Sequence, residues 1–222
     1  MKILHLSTFA HQGGAARAAF TIHRSLRDHG VDSQMVVQQS RDSHPFVDVP
    51  QTVLRKAVDR LRCRLERSVL RMQNTENPIF HSMNVLPSFR LGKINRSDCD
   101  VVHLHWVNKS MLSIAEIGQI EKPVVWTLHD AWPFCGAEHH SRITGRDRYR
   151  EGYRPDNRDP DHRGVDLDRL VWHHKMKHWK EKSFSLVAPS RWMAGMARES
   201  VLFREETVHT IHHPIDLRAY KP

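Results

Sequence analysis

Val124-Val125-Trp126-Thr127-Leu128-His129-Asp130-Ala131-Trp132-Pro133-Phe134 is the stretch whose reading decides the fold. Its first five residues form a short apolar run rich in β-branched side chains, the pattern of a strand buried on both faces of a parallel sheet. The run stops at a titratable pair, His129-Asp130, followed by an aromatic-proline turn. In open α/β sheets, ligands bind beyond the carboxyl ends of the strands. A histidine beside a carboxylate at such an end is placed to meet a substrate. It can equally serve to hydrogen-bond a neighbouring loop, and spacing alone leaves both roles open.

Outward from this strand the chain alternates. Residues 2–6 read as a strand, 7–14 as the loop leaving it, and Gly13-Gly14-Ala15-Ala16 as the opening of a helix to about residue 29, closed by Gly30 in a left-handed cap. Strand, glycine pair and helix together make a Rossmann-like opening, although a full GxGxxG is absent. The glycines let a ligand approach the backbone, and the helix N-terminus offers N–H groups to an anion. An ordinary tight turn is the plainer alternative. Further strands are expected at 32–38, 101–106, 184–188 and 207–211. Helices are expected at 111–120, from Asp166 or Asp168 to about 182, and at 191–201. Residues 41–51, broken by Pro45 and Pro50, and 74–96, with Pro78 and Pro87, read as irregular connections. The alternation predicts an α/β, Rossmann-like parallel sheet with helices on both faces.

The 222 residues suit one large domain or two small ones. No apolar run reaches the roughly 18 residues of a membrane span, and the N-terminus is too short and strand-like for a signal peptide. Cys63, Cys99 and Cys135 are scattered, with no CxxC spacing, so a disulfide framework or zinc ribbon is not expected and a reducing cytoplasm fits. The formal net charge of +9 points to an anionic partner. Its excess is local: Arg55, Lys56, Arg60, Arg62, Arg64, Arg67 and Arg71 face only Asp59 and Glu66. In the same segment Leu54, Val58, Leu61, Leu65, Val69 and Met72 recur at steps of three and four. The helix so described is expected either to pack on the sheet through its apolar stripe, with its charged face solvated, or to lie on an anionic membrane. Residues 141–165 hold seven arginines, five acids, Tyr149 and Tyr153 with few apolar side chains. They read as a long surface loop or lid that cannot bury itself.

Eighteen histidines raise the question of a metal. His103 and His105 share a strand face, and His174 and His178 share a helix face. No HExxH occurs and no carboxylate has a completing position, so no metal cofactor is expected. Neither GxSxG nor a basic–aromatic nucleic-acid pattern is present, and no nucleic-acid partner is expected.

Taken in order, Gly13-Gly14-Ala15-Ala16-Arg17-Ala18-Ala19, Val101-Val102-His103-Leu104-His105-Trp106, Val125-Trp126-Thr127-Leu128-His129-Asp130-Ala131-Trp132, Val187-Ala188-Pro189-Ser190-Arg191-Trp192 and Ile215-Asp216-Leu217 resemble the N-terminal half of retaining family 4 (group 1) glycosyltransferases of bacterial polysaccharide and lipopolysaccharide assembly. The resemblance runs over essentially the whole chain. It implies a GT-B architecture, in which residues 1–211 form the acceptor-side domain and 212–222 begin the inter-domain linker. A C-terminal domain holding the nucleotide-sugar donor would lie beyond, so this half alone is not expected to turn over. It further implies that His129 stands near the transferred sugar. Gly13 and Gly14 would form the cleft loop, Ser190 its edge, and Asp130 and Trp132 would accompany His129. The implied partners are a nucleotide-sugar and a glycan or lipid-linked acceptor, with no metal. The implied location is cytoplasmic, with peripheral contact to the inner membrane face through residues 55–71. Two departures stand out. The loop cysteines of close relatives are missing from 138–154, which predicts loss of any metal or disulfide ordering there. The linker carries His213-Pro214 where relatives have an asparagine, which leaves a hinge role for that asparagine without its residue. Two other readings stay open: a non-catalytic glycan-binding module, and a metal hydrolase built on His103 and His105.

Overall fold

The computed structural model describes residues 1–49, 52–75, 78–141 and 147–215. Residues 50–51, 76–77, 142–146 of the polar segment and 216–222, where the expected linker continues, lie outside them. In chain order the elements are β1 Lys2–Phe9, α1 Gly14–Asp28, β2 Asp32–Gln39, β3 Val47–Asp48, α2 Val53–Leu70, β4 Gln73–Asn74, α3 Leu91–Asn95 and β5 Val101–Leu104. There follow α4 Ile114–Gly118, β6 Val124–Thr127, α5 Arg148–Glu151, β7 Arg163–Gly164, α6 Leu167–Trp179, β8 Ser185–Ala188, α7 Arg191–Glu199 and β9 Thr207–Thr210.

Seven strands form one sheet in the order β3-β2-β1-β5-β6-β8-β9 with every pairing parallel. The α/β Rossmann-like reading is therefore correct. The strand order reverses between β1 and β5, which is the switch point beside which such sheets take their ligands. Gly30, at φ 78°, closes α1: its N–H donates to Arg27 and that of Val31 to Leu26, a cap that needs a left-handed residue. The helix expected at 111–120 shrinks to α4, started by a reciprocal Ser113–Glu116 capping box.

Register sorts the side chains into two unlike layers. Leu4, Leu6, Val102, Leu104, Trp126 and Leu186 share one face. They are buried with residues of α4, α6 and α7 in the main core. The other face carries His5 opposite His103, with His105 and Thr127 farther along. Helix α1 covers this second face at β1 and β2, where His23 meets His5 edge-on with ring centroids 5.6 Å apart.

One expectation fails here and a second holds only in part. Helix α2 packs inside out: Asp59, Arg62 and Glu66 are buried, whereas Leu54 is 75% and Leu61 57% exposed. Periodicity tells which residues share a face, and the neighbours decide which face turns inward. Those neighbours are polar. Glu66 accepts from the N–H groups of Val85 and Leu86 and from Ser110, Asp59 pairs with Arg62 and Arg90, and Arg62 donates to the Leu86 carbonyl. The stripe that was to bury the helix is its open face.

The described part of the 141–165 segment lies largely at the surface, as expected, yet a few of its side chains are buried and anchor it. Tyr149 and Tyr153 are 2% and 1% exposed. Arg148 grips Asp166 with both guanidinium nitrogens at 3.2 and 2.7 Å and lies 4.5 Å above the Tyr153 ring. Tyr153 accepts from the Gly136 N–H at 2.9 Å and donates to Glu138. β7 pairs antiparallel with β4. Without cysteines in 138–154, hydrogen bonds to groups outside the segment order its described part.

Candidate active site

β6 ends at Thr127, the Leu128 N–H donates to Val187, and His129 emerges half-buried at the carboxyl edge of the sheet. Behind it runs a file of rings. His129 Nε2 lies 3.1 Å from His105 Nδ1, and His105 Nε2 lies 3.0 Å from His5 Nδ1. His103 stands beside this file and bonds Thr127 at 2.8 Å. Burial, with His213 alongside, pushes His129 down to about 3, and burial takes His103 to about 4. His5 and His105 are held well below the usual histidine range, first by burial and then by nearby histidines, His103 foremost. All four rings are therefore neutral near pH 7.

Asp130 is committed to structure. Its carboxylate accepts from Trp106 Nε1 at 2.8 Å, from the Trp132 N–H at 3.1 Å and from His139 Nδ1 at 2.5 Å, and His139 in turn bonds Ser82 at 2.9 Å. Despite burial, these partners hold the Asp130 carboxyl below its usual range. Trp132 is fully buried and donates to the Ser82 carbonyl, so it braces the turn from beneath. Lys175, also fully buried, donates to the carbonyls of Trp132, Cys135 and Gly136, and burial lowers it to about 7.

Gly13, at φ 89°, caps the N-terminus of α1 without any side-chain bond to it. A Cβ built on Gly13 or Gly14 would meet no atom within 4 Å, so this turn faces open space. It leaves β1, whose Thr8 N–H donates to Trp106 and whose Phe9 ring lies 6.0 Å from the Trp106 ring. Trp106 thus ties the glycine side of the switch point to the His129-Asp130 side. Ser190 caps α7 through the Met193 N–H and stands half-buried at the carboxyl end of β8. The C-terminal end of the described chain also takes part: the His213 ring stacks on His129 with centroids 5.0 Å apart.

Residues 12–219 match the sequence profile described as Glycosyltransferase Family 4. The chain belongs to that family. A curated relative is "Putative colanic acid biosynthesis glycosyl transferase WcaC" of Escherichia coli (strain K12), 28% identical over 149 residues. The match takes in 61% of this chain and 35% of the relative, so the chain spans about a third of that protein's length. As a family 4 chain it assembles His129, Asp130, Trp106 and the glycine turn around one switch point.

Sequence reasoning did not single out His5, His139, Ser82, Lys175 or the ring of His213. A signal existed for His5 alone, since it sits at the same strand parity as His103 and His105. Among the described residues one group has separations suited to a metal ion, His5, His103 and His105, with ligating atoms within 4.8 Å of one another. His174 and His178 pack edge-on at 4.4 Å.

Proposed function

We propose that this chain is the acceptor-side domain of a transferase that moves a sugar from a nucleotide-sugar to a glycan or lipid-linked acceptor in exopolysaccharide or lipopolysaccharide assembly. The observation that carries the reading is the neutral, half-buried His129, fixed from behind by His105 at the carboxyl edge of the sheet. Family 4 membership stands behind it. A neutral imidazole at this edge positions sugar hydroxyls by hydrogen bonding, and the open Gly13-Gly14 turn lets substrate approach backbone N–H groups. Ser190 borders the same cleft. In the GT-B arrangement that the resemblance implies, the nucleotide-sugar is assigned to a donor lobe outside these residues. The proposal includes no resident metal: both ring nitrogens of His105, Nδ1 of His5 and Nε2 of His103 are already engaged in hydrogen bonds within the layer.

On the acceptor side, a cleft of about 300 Å³ opens between α2 and residues 80–83, lined by Arg60, Arg64, Arg67, Lys109 and Phe80 among others. Its cations suit an anionic acceptor. The outward stripe of α2 (Leu54, Leu61, Leu65, Val69 and Met72) lies beside the exposed cations Lys56, Arg60, Arg64, Arg67 and Arg71. Such a helix suits the interface of an anionic membrane. No helix among the described residues is long and apolar enough to cross one.

Transfer measured on a protein carrying both lobes tests the reading. His129→Ala is expected to lower kcat on the order of 10²-fold, as loss of one oriented donor does. Undiminished transfer in that variant would remove His129 from the chemistry. Binding of glycan by the chain with no transfer from any nucleotide-sugar would favour the non-catalytic module.

A further inference from the structure

A neutral imidazole carries one N–H and one lone pair, so each contact in the file His5–His105–His129 must place a proton on one partner and a lone pair on the other. Two contacts joining three rings leave only two arrangements. In one, every ring is protonated on Nδ1: His5 donates to His105, His105 donates to His129, and His129 turns its Nδ1–H away from the file. In the other, every ring is protonated on Nε2 and His129 presents a bare lone pair. The inner end of the file decides between them. His5 Nε2 is buried and has no hydrogen-bond partner, on a residue with no solvent exposure. The second arrangement strands an N–H there, and orphaned buried N–H donors are rarer than unused acceptors.

We infer that His5 and His105 are positioning residues which fix His129 in its Nδ1–H tautomer, so that it meets substrate as a hydrogen-bond donor and not as a base. The register supplies the geometry: His5 lies opposite His103 across β1 and β5, which sets His105 one step nearer the edge and His129 beyond it. Burial keeps the rings neutral, which the scheme requires. The substrate atom facing His129 is then an acceptor, such as a sugar hydroxyl oxygen or a phosphate oxygen. This deepens the proposed function and rests on His129 being the cleft histidine. The tautomer itself can be measured without any turnover.

The experiment is long-range ¹H–¹⁵N correlation of the imidazole nitrogens in the ¹⁵N-labelled 222-residue chain at pH 7. His5, His105 and His129 are each expected to show a protonated Nδ1 and a bare Nε2. In His105→Leu the single His129 tautomer should be lost to an exchange average, and His105→Gln, whose amide can donate to His129 Nε2, should restore it. An Nε2–H form of His129 in the unaltered chain overturns the inference. So does an unchanged Nδ1–H form in His105→Leu, or stoichiometric metal bound at His5, His103 and His105 in the purified protein. If the tautomers are as stated while His129→Ala transfers sugar undiminished, the file stands and the role proposed for His129 in transfer falls; if no transfer is found with the unaltered protein carrying both lobes, the proposed function falls.

Discussion

One face of the central strands carries Leu4, Leu6, Val102, Leu104 and Trp126; the other, at alternate positions of the same strands, carries His5, His103, His105 and Thr127. The backbone hydrogen bonding is shared, so the contrast lies wholly in side chains. The first layer is dry and stabilises by burial and close packing. The second is held by pairwise hydrogen bonds between neutral rings and hydroxyls, and its value depends on protonation. A parallel sheet buried on both faces can thus keep stability on one side and site chemistry on the other.

The largest expected effect is on the dry side. Trp126→Ala should cost about 3–5 kcal/mol in denaturant unfolding, because the ring is fully buried against Trp132, Trp179, Phe184 and Phe203. A cost below 1 kcal/mol would mean that the dry layer is not what holds the sheet.

The next test works on the histidine side through pH. Below the ordinary value of 6.5 the unfolded chain takes up protons that the folded chain refuses until about 4 at His103 and about 3 at His129. The unfolded state then binds more protons, so these two rings make stability fall as pH falls from 6.5 toward 4, by roughly several kcal/mol together. Above pH 4.5 the depressed carboxylates of Asp130, Glu116 and Asp166 contribute little to this slope. Chemical denaturation at stepped pH should show it, with His103→Leu flatter than the parent. Glu138, raised well above the usual carboxylate range by burial, works against this slope in both chains, so a His103→Leu variant with the parent's slope from 6.5 to 4.5 would show that this ring is not buried neutral.

Helix α2 offers the same contrast at smaller scale, one residue apart. Glu66→Gln should cost about 1–3 kcal/mol, since a neutral amide cannot accept all three bonds made by Val85, Leu86 and Ser110. The double substitution Leu61→Ser and Leu65→Ser, on the open stripe, should change stability by no more than about 0.5 kcal/mol. It should nevertheless abolish salt-sensitive cosedimentation with anionic vesicles. Equal binding to neutral vesicles by the parent would remove the membrane face.

Much of the fold was legible, because buried parallel strands declare themselves as short apolar runs and Gly30 marks its own cap. His129-Asp130 was legible for the same reason: a titratable pair ending such a run has few places to be. What escaped was whatever depends on distant partners. His5 is one letter in an apolar strand, and its meaning comes from His105, a hundred residues on. The polar segment looked unburiable because Arg148 and Tyr153 answer to Asp166 and to Glu138 and Gly136. The stripe of α2 was counted correctly and turned the wrong way, since nothing local shows that polar groups of residues 85–90 and 110 are waiting for Asp59, Arg62 and Glu66.

The pairing of His5 with His103 has a consequence for tolerated change. Side chains alternate across a strand, so inserting or deleting a single residue inside β5 would swing His103 and His105 into the aliphatic layer and bring Val102 and Leu104 out beside His5. Both layers would be spoiled by one frame step. Length variation among related chains should therefore collect in the connections and spare β1, β5 and β6.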